Sequence, residues 1–399
     1  MKRGVIPKGD KLVILATSIR WFGWGLFEAL LPIFLFQFAN TYAETGLLSS
    51  IYNILFFLTL PLVGMLADRI SARTILIIGL IIYPFIGISY FLAGALGLMS
   101  LIVIARSLNG VSWAFDSVGR DIYFRRHSPK KKISSIFGYF ETYANLAWII
   151  GLIISLALLP FIKLQWLFLA LIPTTLIALF IVARLKNDKK ENLGYGLHTI
   201  MKKGAYLGLY KEVRGWNSSL KLIGSLTFFF GLISTIISFF IPIYAYTQGA
   251  TYSQIVIITL FLTAPSLFGE WLGRFADKKR GTSIFFGLII LTLILLALFF
   301  IEKYTIYLIA AFAMGIVLEL VQLANDGVAT RFARREHYGR ISSALEGLNE
   351  LGSLAGPIVL GLMVDAMGIS STSLIAAGAT LLMLIIVGFK RKLLGISIK

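Results

Sequence analysis

The 399-residue chain contains no cysteine, and only 14% of its residues are charged. The lack of cysteine excludes disulfide bonds, thiolate metal sites and cysteine nucleophiles. The scarcity of charge argues against a soluble domain, in which about 25% of residues are charged. Acids are the rarer charge, with 19 against 37 bases, and the formal net charge is +18. This balance could reflect nucleic-acid binding, an anionic membrane surface or a topology signal.

Long apolar runs, in contrast, fill most of the chain. A helix needs about 20 apolar residues to cross a hydrocarbon core of roughly 30 Å, and twelve such spans are present. Spans 1 to 12 are predicted at 12–38, 46–66, 74–95, 100–122, 134–158, 164–183, 220–245, 253–273, 282–301, 305–329, 341–363 and 369–389. The runs lack the alternation of barrel strands. The sequence therefore predicts an all-α membrane protein with twelve transmembrane helices.

The basic residues separate according to the side of the membrane. When the loops are assigned alternately to the two sides, 33 bases share a side with both termini, and only Lys163 and Lys303 fall on the other. Because cytoplasmic loops carry the excess of Lys and Arg, both termini are predicted to be cytoplasmic in a multi-pass protein of the cell membrane. Bases that are divided among many loops do not form one nucleic-acid patch, so no nucleic-acid partner is expected.

The two halves of the chain repeat each other. Leu31-Pro32-Ile33 recurs about 210 residues later as Ile241-Pro242-Ile243, and four further short matches keep the same order at nearly the same offset. Such a repeat predicts two six-helix bundles in parallel orientation. The predicted domains are an N-terminal bundle at 1–185, a cytoplasmic linker at 186–217 and a C-terminal bundle at 218–399.

The loop between spans 2 and 3 carries the most specific motif. It reads Gly64-Met-Leu-Ala-Asp68-Arg69-Ile-Ser71-Ala-Arg73, and a shorter copy occurs at 273–278. This motif resembles the signature loop of the major facilitator superfamily of secondary transporters, although Ser71 stands where glycine is usual. The resemblance covers the whole chain and implies a central cavity between the two halves. It also implies a gating role for Gly64, Asp68, Arg69, Arg73, Gly273, Asp277 and Lys278.

Ten charged residues are assigned to the membrane interior, and spans 3, 6, 9 and 12 have none. The resemblance implies that these four spans are peripheral. Eight of the ten residues are acids, and burial together with like-charged neighbours disfavours ionised carboxylates. This excess of acids favours a proton-coupled carrier, although the same groups could simply be hydrogen-bonded between helices. The predicted proton-coupling residues are Glu28, Arg106, Asp116, Glu141, Glu319 and Glu350.

Residue numbers also predict which charges lie at the same depth. In a pair of antiparallel helices, residues at equal height have numbers with a nearly constant sum. This rule sets Arg20 level with Asp116, and Glu28 level with Arg106. Across spans 4 and 5 it brings Glu141 to the level of Asp116. Arg20, Asp116 and Glu141 are therefore predicted to form a buried ion-pair group, while Arg120 is counted with the loop after span 4.

The direction of transport and the substrate class are predicted from one motif and a few polar and aromatic residues. The segment Arg106-Ser-Leu-Asn109-Gly110 resembles the span 4 signature of proton-linked drug exporters, but the exporters' Gly-Pro motif is absent from span 5. Acids near aromatic rings suit a lipophilic or cationic guest. The tryptophans could equally pack against lipid or neighbouring helices. The predicted cavity residues are Trp24, Asn109, Trp113, Asn145 and Gln322.

Together these features predict a monomeric secondary transporter that exports a lipophilic or cationic small molecule in exchange for protons, without cofactor or metal. Uptake of a sugar, organic acid or peptide-like metabolite by proton symport is the alternative. An enzyme is disfavoured because the chain has no motif of a serine hydrolase, zinc protease or phosphate-binding loop. A membrane-embedded sensor, scaffold or acid-catalysed enzyme is a remote alternative.

Overall fold

The computed structural model describes residues 7–67, 70–127, 133–186, 214–268, 271–272, 275–276, 280–300, 304–332 and 338–394. These residues are almost entirely helical, and no β-strand occurs among them. The prediction of an all-α protein is therefore confirmed. Helical residues lie within each of the twelve predicted spans.

The first six helices follow one another through short connections. α1 combines Lys8–Gly25, a 3-10 turn at Glu28–Leu30 and Leu31–Phe36; α2 is Tyr42–Ala67, α3 is Ala72–Leu96, α4 is Met99–His127 and α5 is Ile133–Leu158. α6 combines Leu164–Leu167, a 3-10 turn at Phe168–Ala170 and Leu171–Val182.

The remaining helices include two irregular ones. α7 contains Ser218–Thr235, a π-helical turn at Ile236–Phe240 and Ile241–Thr247; α8 contains Tyr252–Thr263 and a 3-10 turn at Ala264–Phe268; α9 is Arg280–Phe299 and α10 is Tyr304–Phe332. The last helical stretch, Tyr338–Phe389, is interrupted at Gly368, where φ is 78° and ψ is 166°. Glycine adopts this backbone without the steric penalty of a side chain. We call residues 338–367 α11 and residues 369–389 α12.

Nine helical stretches of the described residues are long and apolar enough to cross a membrane. α4 is not among them because it is more polar, and the described part of α8, Tyr252–Phe268, is too short. α11 and α12 together count as one stretch, Gly347–Phe389. The multi-pass membrane character is thus clear, and the count of twelve crossings stays a prediction.

Polar residues at the helix starts explain several boundaries. The Ser71 hydroxyl accepts a hydrogen bond from the Thr74 backbone N–H at 3.1 Å and so caps α3. Asn217 caps α7 in the same way, and Thr251 forms a capping box with Gln254 at the start of α8. A capping side chain satisfies a backbone N–H that has no partner inside the helix. Ser71, the departure from the family motif, therefore has a local structural role.

Contacts divide the chain into two units. The first contains Met1–Leu31 and Ile51–Tyr206, and the second contains Pro32–Ser50 and Leu207–Lys399. The second unit thus includes the end of α1 and the start of α2, which the internal repeat assigns to the N-terminal half. Most of the predicted linker at 186–217 lies outside the described residues.

Glycines set the closest helix contacts inside the first unit. A methyl group added at Gly25 of α1 would collide with the Trp148 carbonyl of α5, and one at Gly151 of α5 would collide with the Phe22 carbonyl of α1. Small residues at such crossings let two helix backbones approach closely. This approach brings the 3-10 turn that follows Gly25 next to the Trp148 side chain.

Candidate functional site

A fully buried arginine joins three helices of the first unit. Arg20 of α1 donates to the Asp116 carboxylate of α4 at 2.5 Å and to the Tyr83 hydroxyl of α3 at 2.9 Å. Asp116 also accepts from Arg120, one turn further along α4, at 3.0 Å. The exposed side-chain fractions are 0% for Arg20, 2% for Asp116 and 8% for Arg120. Two buried cations therefore share one buried anion.

Aromatic rings surround this group, which we call the buried charge cluster (Arg20, Asp116 and Arg120). The Arg20 guanidinium carbon lies 4.7 Å from the Tyr83 ring centroid and 5.1 Å from that of Trp113. The Arg120 guanidinium carbon lies 4.4 Å from the centroid of Phe140 on α5. The negative faces of these rings stabilise the positive charge that Asp116 does not balance.

The geometry differs from the predicted ion-pair group in its third member. Arg20 and Asp116 are brought together at one depth. Glu141 is not joined to Arg20: its side chain is exposed, and its charged neighbours are Arg120 and Asp121. Arg120, which its composition assigns to a loop, lies inside α4 because that helix continues to His127, and its side chain is buried. Its spacing of four residues from Asp116 is the signal that could have identified the pair.

Glu28 lies at the break in α1 and meets a partner that the sequence does not reveal. Its carboxylate accepts a hydrogen bond from the Trp148 indole N–H of α5 at 2.6 Å, and the Glu28 side chain is exposed. Arg106 and Arg20 are within electrostatic range of Glu28. Trp148 is 120 positions away along the chain, so only packing at Gly25 and Gly151 brings it to Glu28.

Arg106 lies on the buried side of α4. It is 5% exposed, and its guanidinium carbon is 5.0 Å from the Tyr52 ring centroid of α2. It also interacts with the Tyr90 hydroxyl of α3. Gly110, four residues on, touches the Tyr52 carbonyl so closely that an added methyl group would collide with it. The arginine and glycine of the exporter-like signature therefore both contact α2.

One face of α5 carries an accessible polar stripe. Glu141, Asn145 and Trp148 are spaced four and three residues apart and so share a face of the helix. The same face includes Leu152, which is fully buried, whereas Leu146 and other exposed apolar residues occupy the opposite face. Glu141 is thus exposed on the packed side of α5 and not on its apolar outer side. We call Glu28 and Glu141 the accessible acids.

The predicted cavity residues fall in different surroundings. Trp24 is 8% exposed and packs against Phe27 with ring centroids 4.9 Å apart. Asn109 is buried, Trp113 is half-buried beside the arginines of the buried charge cluster, Asn145 is half-buried and Gln322 is exposed. Asn145 and Gln322 are therefore more accessible to a ligand than Trp24 and Asn109.

The acids of the second unit are less completely described. Glu319 of α10 and Glu350 of α11 are half-buried. The side chains of Asp326 and Glu346, and the whole of Glu270, lie outside the described residues. Within the described ranges, no three of His, Asp and Glu lie close enough to share a metal ion.

Part of the predicted gating loop is also described. Gly64 belongs to α2 and Arg73 to α3, while Asp68, Arg69, Gly273, Asp277 and Lys278 lie outside the described residues. Arg126, near the end of α4, donates to the Ala67 carbonyl at 2.5 Å and to the Ile70 carbonyl at 3.4 Å. A base of α4 therefore binds both ends of this loop, a contact that the motif alone does not predict.

The family model described as the Major Facilitator Superfamily matches residues 13–255 and 223–393 of this chain. Similar curated proteins include the quinolone resistance protein NorA of Staphylococcus aureus strain COL, which is 22% identical over 350 residues covering 86% of each chain. NorA of strain MRSA252 is 23% identical over 352 residues, again with 86% of each chain covered.

Solved structures of low sequence identity share the fold. The nucleoside transporter NupG superposes with a TM-score of 0.74 at 14% identity, covering 95% of this chain and 98% of that one. A POT family transporter bound to a thioalcohol-conjugated peptide gives a TM-score of 0.76 at 13% identity and 97% coverage of both chains. The human organic anion transporter MFSD10 gives 0.67 at 15% identity, covering 96% and 100%.

Proposed function

Because this chain belongs to the major facilitator superfamily, a family of transporters and not of enzymes, we propose that it is a proton-coupled exporter of a lipophilic or cationic small molecule. The observation that carries the proposal is the arrangement of charge in the first unit. The accessible acids present carboxylates, whereas Arg20, Arg106 and Arg120 are buried. A solute that reaches this face of α5 meets negative and not positive side chains.

The surroundings of the accessible acids favour a cation with apolar parts. An accessible carboxylate attracts a positive group, and rings such as Trp148 add apolar and cation–π contact. The same arrangement disfavours a carboxylate or phosphate ligand, because Glu141 would repel it and the guanidinium groups are covered. Asn145, between Glu141 and Trp148, supplies a polar group that can orient the solute.

Glu28 of α1, which meets this face of α5 through Trp148, is the proposed proton carrier. The Trp148 N–H orients its carboxylate, and Arg106 and Arg20 supply nearby positive charge. Protonation of Glu28 removes its attraction both to these arginines and to a bound cation. A proton and a cationic substrate therefore compete for one site, which is the coupling that an antiporter needs. Glu319 and Glu350 are proposed to carry protons in the second unit.

Export is favoured over uptake by two likenesses. Residues 106–110 resemble the exporter signature, and the NorA relatives are described as quinolone resistance proteins. NupG and the POT family transporter are similar in fold alone, and so they do not bear on direction. Uptake by symport is the outcome that the following experiment distinguishes.

Purified protein in proteoliposomes with a pH-sensitive dye inside tests the proposal, with the lipophilic cation ethidium as the probe. We expect ethidium and protons to move in opposite directions, and Glu28→Gln to lower coupled proton movement at least tenfold. Glu44→Gln, which changes an acid at the start of α2, is the matched control and should retain activity. Proton and ethidium movement in the same direction would establish symport, and normal movement in Glu28→Gln, Glu319→Gln and Glu350→Gln alike would reject the proton-carrier assignment.

The remaining proposals concern topology. We place the protein in the plasma membrane as a monomer with both termini in the cytoplasm, because the bases concentrate on that side. On this orientation, the loop between α2 and α3 lies on the cytoplasmic side, where we propose that its Asp68-Arg69 pair and Arg73 gate the transport path. The second copy at 273–278 would act similarly, and residues 186–217 would link the two repeats.

A further inference from the structure

The start of α2 is bound to α11 by a single carboxylate. Asp365 accepts hydrogen bonds from the backbone N–H groups of Tyr42 and Ala43, one on each carboxylate oxygen and both at 2.8 Å. These N–H groups lie at the first turn of α2 and have no acceptor inside that helix. The positive end of the helix dipole adds to the attraction. Asp365 therefore caps α2 from a different helix.

Close backbone contacts continue along the same pair of helices. An added methyl group at Gly46 of α2 would collide with the Pro357 carbonyl of α11, and one at Gly361 would lie 2.8 Å from the Tyr42 carbonyl oxygen. The hydroxyl of Ser50, which is 0% exposed, donates to the Leu354 carbonyl at 2.9 Å. We call this set of contacts between residues 42–50 and residues 354–365 the α2–α11 seam.

A second polar contact flanks the seam. The Gln37 amide, just beyond the end of α1, donates to the Tyr252 hydroxyl at 2.8 Å and to the Tyr246 hydroxyl at 3.3 Å. The two tyrosine rings stack with centroids 5.7 Å apart. The connection between α1 and α2 is thus held at both ends, which explains why Pro32–Ser50 clusters with the second unit.

We propose that Asp365 is a reversible latch that holds the α2–α11 seam closed in one state of the transport cycle, and that it releases the start of α2 in the other. On the proposed topology, the seam lies on the membrane side opposite the termini, because α1 crosses the membrane between the N-terminus and the seam. It joins an element of the first sequence repeat to one of the second. A transporter that exposes its path alternately to the two sides must separate such a junction once in each cycle.

The chemistry of the latch suits repeated opening. Asp365 is exposed, so water replaces the two N–H groups when the seam separates, and no charge becomes buried without a partner. The glycine contacts add close packing without polar groups that must be satisfied. The carboxylate can therefore bias the equilibrium toward the closed seam without making that state irreversible.

A cysteine reporter can test the latch directly, because the chain has no cysteine of its own. Ser50→Cys places a thiol of nearly the same shape inside the seam, where a membrane-impermeant maleimide reaches it only when the seam opens. Combining this reporter with Asp365→Asn removes the carboxylate charge and leaves one side-chain oxygen to accept hydrogen bonds from the two N–H groups. We expect Ser50→Cys labelling to become about tenfold faster, because a neutral amide cannot replace the two charge-assisted hydrogen bonds that hold the start of α2.

Two matched controls separate the latch from general loosening. Glu44→Gln alters a carboxylate that accepts from the Asn40 N–H within its own segment and should leave Ser50→Cys labelling unchanged. A reporter at Ser155→Cys, 1% exposed in α5 of the first unit, should be unaffected by Asp365→Asn.

Gly46→Ala disturbs the same seam from another position and should also accelerate Ser50→Cys labelling, which covers the case in which Asp365→Asn does not fold. Unchanged Ser50→Cys labelling in folded Asp365→Asn would overturn the proposal, as would equal acceleration at Ser155→Cys. These outcomes depend on neither substrate nor protons, so they are distinct from failure of the proposed export activity.

Discussion

The first unit holds two sets of charged side chains that differ in burial and in partners. The buried charge cluster is enclosed by three helices and by aromatic rings, and its carboxylate accepts from two arginines. The accessible acids are open to a solute or to water: Glu141 lies on the packed side of α5, and Glu28 lies at the break in α1, where it meets Trp148 of α5. Loss of one partner leaves an enclosed charge buried without compensation, whereas an accessible carboxylate can meet water or a ligand without that cost.

Loss of the shared anion should give the largest effect. Asp116→Asn leaves Arg20 and Arg120 buried without a counter-charge, and breaking a buried pair in this way costs about 3–5 kcal/mol. We expect a large fall in the melting temperature in detergent. The matched control is Asp121→Asn. The Asp121 side chain is 44% exposed and its ion pair with Arg120 is long, at 3.8 Å, so this variant should melt at nearly the same temperature as the parent protein. Equal melting temperatures for Asp116→Asn and Asp121→Asn would show that burial does not decide how much each carboxylate contributes to stability.

An intermediate effect is expected at the tryptophan that orients Glu28. Trp148→Phe keeps an aromatic ring but removes the N–H that donates to the Glu28 carboxylate. A hydrogen bond to a charged group is worth roughly 1.5–3 kcal/mol, and less where the charge is exposed, as Glu28 is. Coupled proton movement per ethidium transported should fall about fivefold while the protein remains folded. Trp24→Phe is a matched substitution, because the buried Trp24 N–H has no hydrogen-bond partner among the described residues. If Trp24→Phe lowered coupling as much, the loss would arise from packing and not from the bond to Glu28.

The smallest effect should come from the second accessible acid. Glu141→Gln should weaken ethidium binding about two- to fivefold, because attraction between accessible charges is worth 1 kcal/mol or less. The difference from the parent protein should shrink in high salt, which screens such attraction. Fluorescence titration at two salt concentrations measures both. A melting temperature as low as that of Asp116→Asn would instead place Glu141 inside the buried charge cluster, as the residue-number rule predicted.

Residue numbers alone predict part of the buried charge cluster. Two antiparallel helices advance at the same rate per residue, so the sum rule placed Arg20 beside Asp116 without knowledge of packing. The same rule gives the height of a residue along the helix axis but not the direction in which its side chain projects around that axis. Glu141 therefore lies level with the buried charge cluster while its side chain is exposed. Composition alone does not identify Arg120, because a helix that continues beyond its apolar stretch resembles a basic loop in composition.

Contacts between distant segments could not be predicted from local patterns. Trp148 reaches Glu28 because glycines in α1 and α5 let two backbones meet, and a single glycine in an apolar run carries no sign of its partner. Asp365 falls between the predicted spans 341–363 and 369–389, where no local pattern points to a partner. Only the fold shows that it caps a helix that begins 323 positions earlier in the chain.

The sequence by itself determined the membrane character, the all-helical architecture and the family. These follow from the length of apolar runs, the one-sided distribution of bases and a repeated loop motif, all of which can be read along the chain. The tertiary structure alone decided which charges are enclosed, which are accessible and which close the α2–α11 seam. Burial and hydrogen bonding depend on the neighbours that each side chain meets in space, and those neighbours come from helices far apart in the sequence.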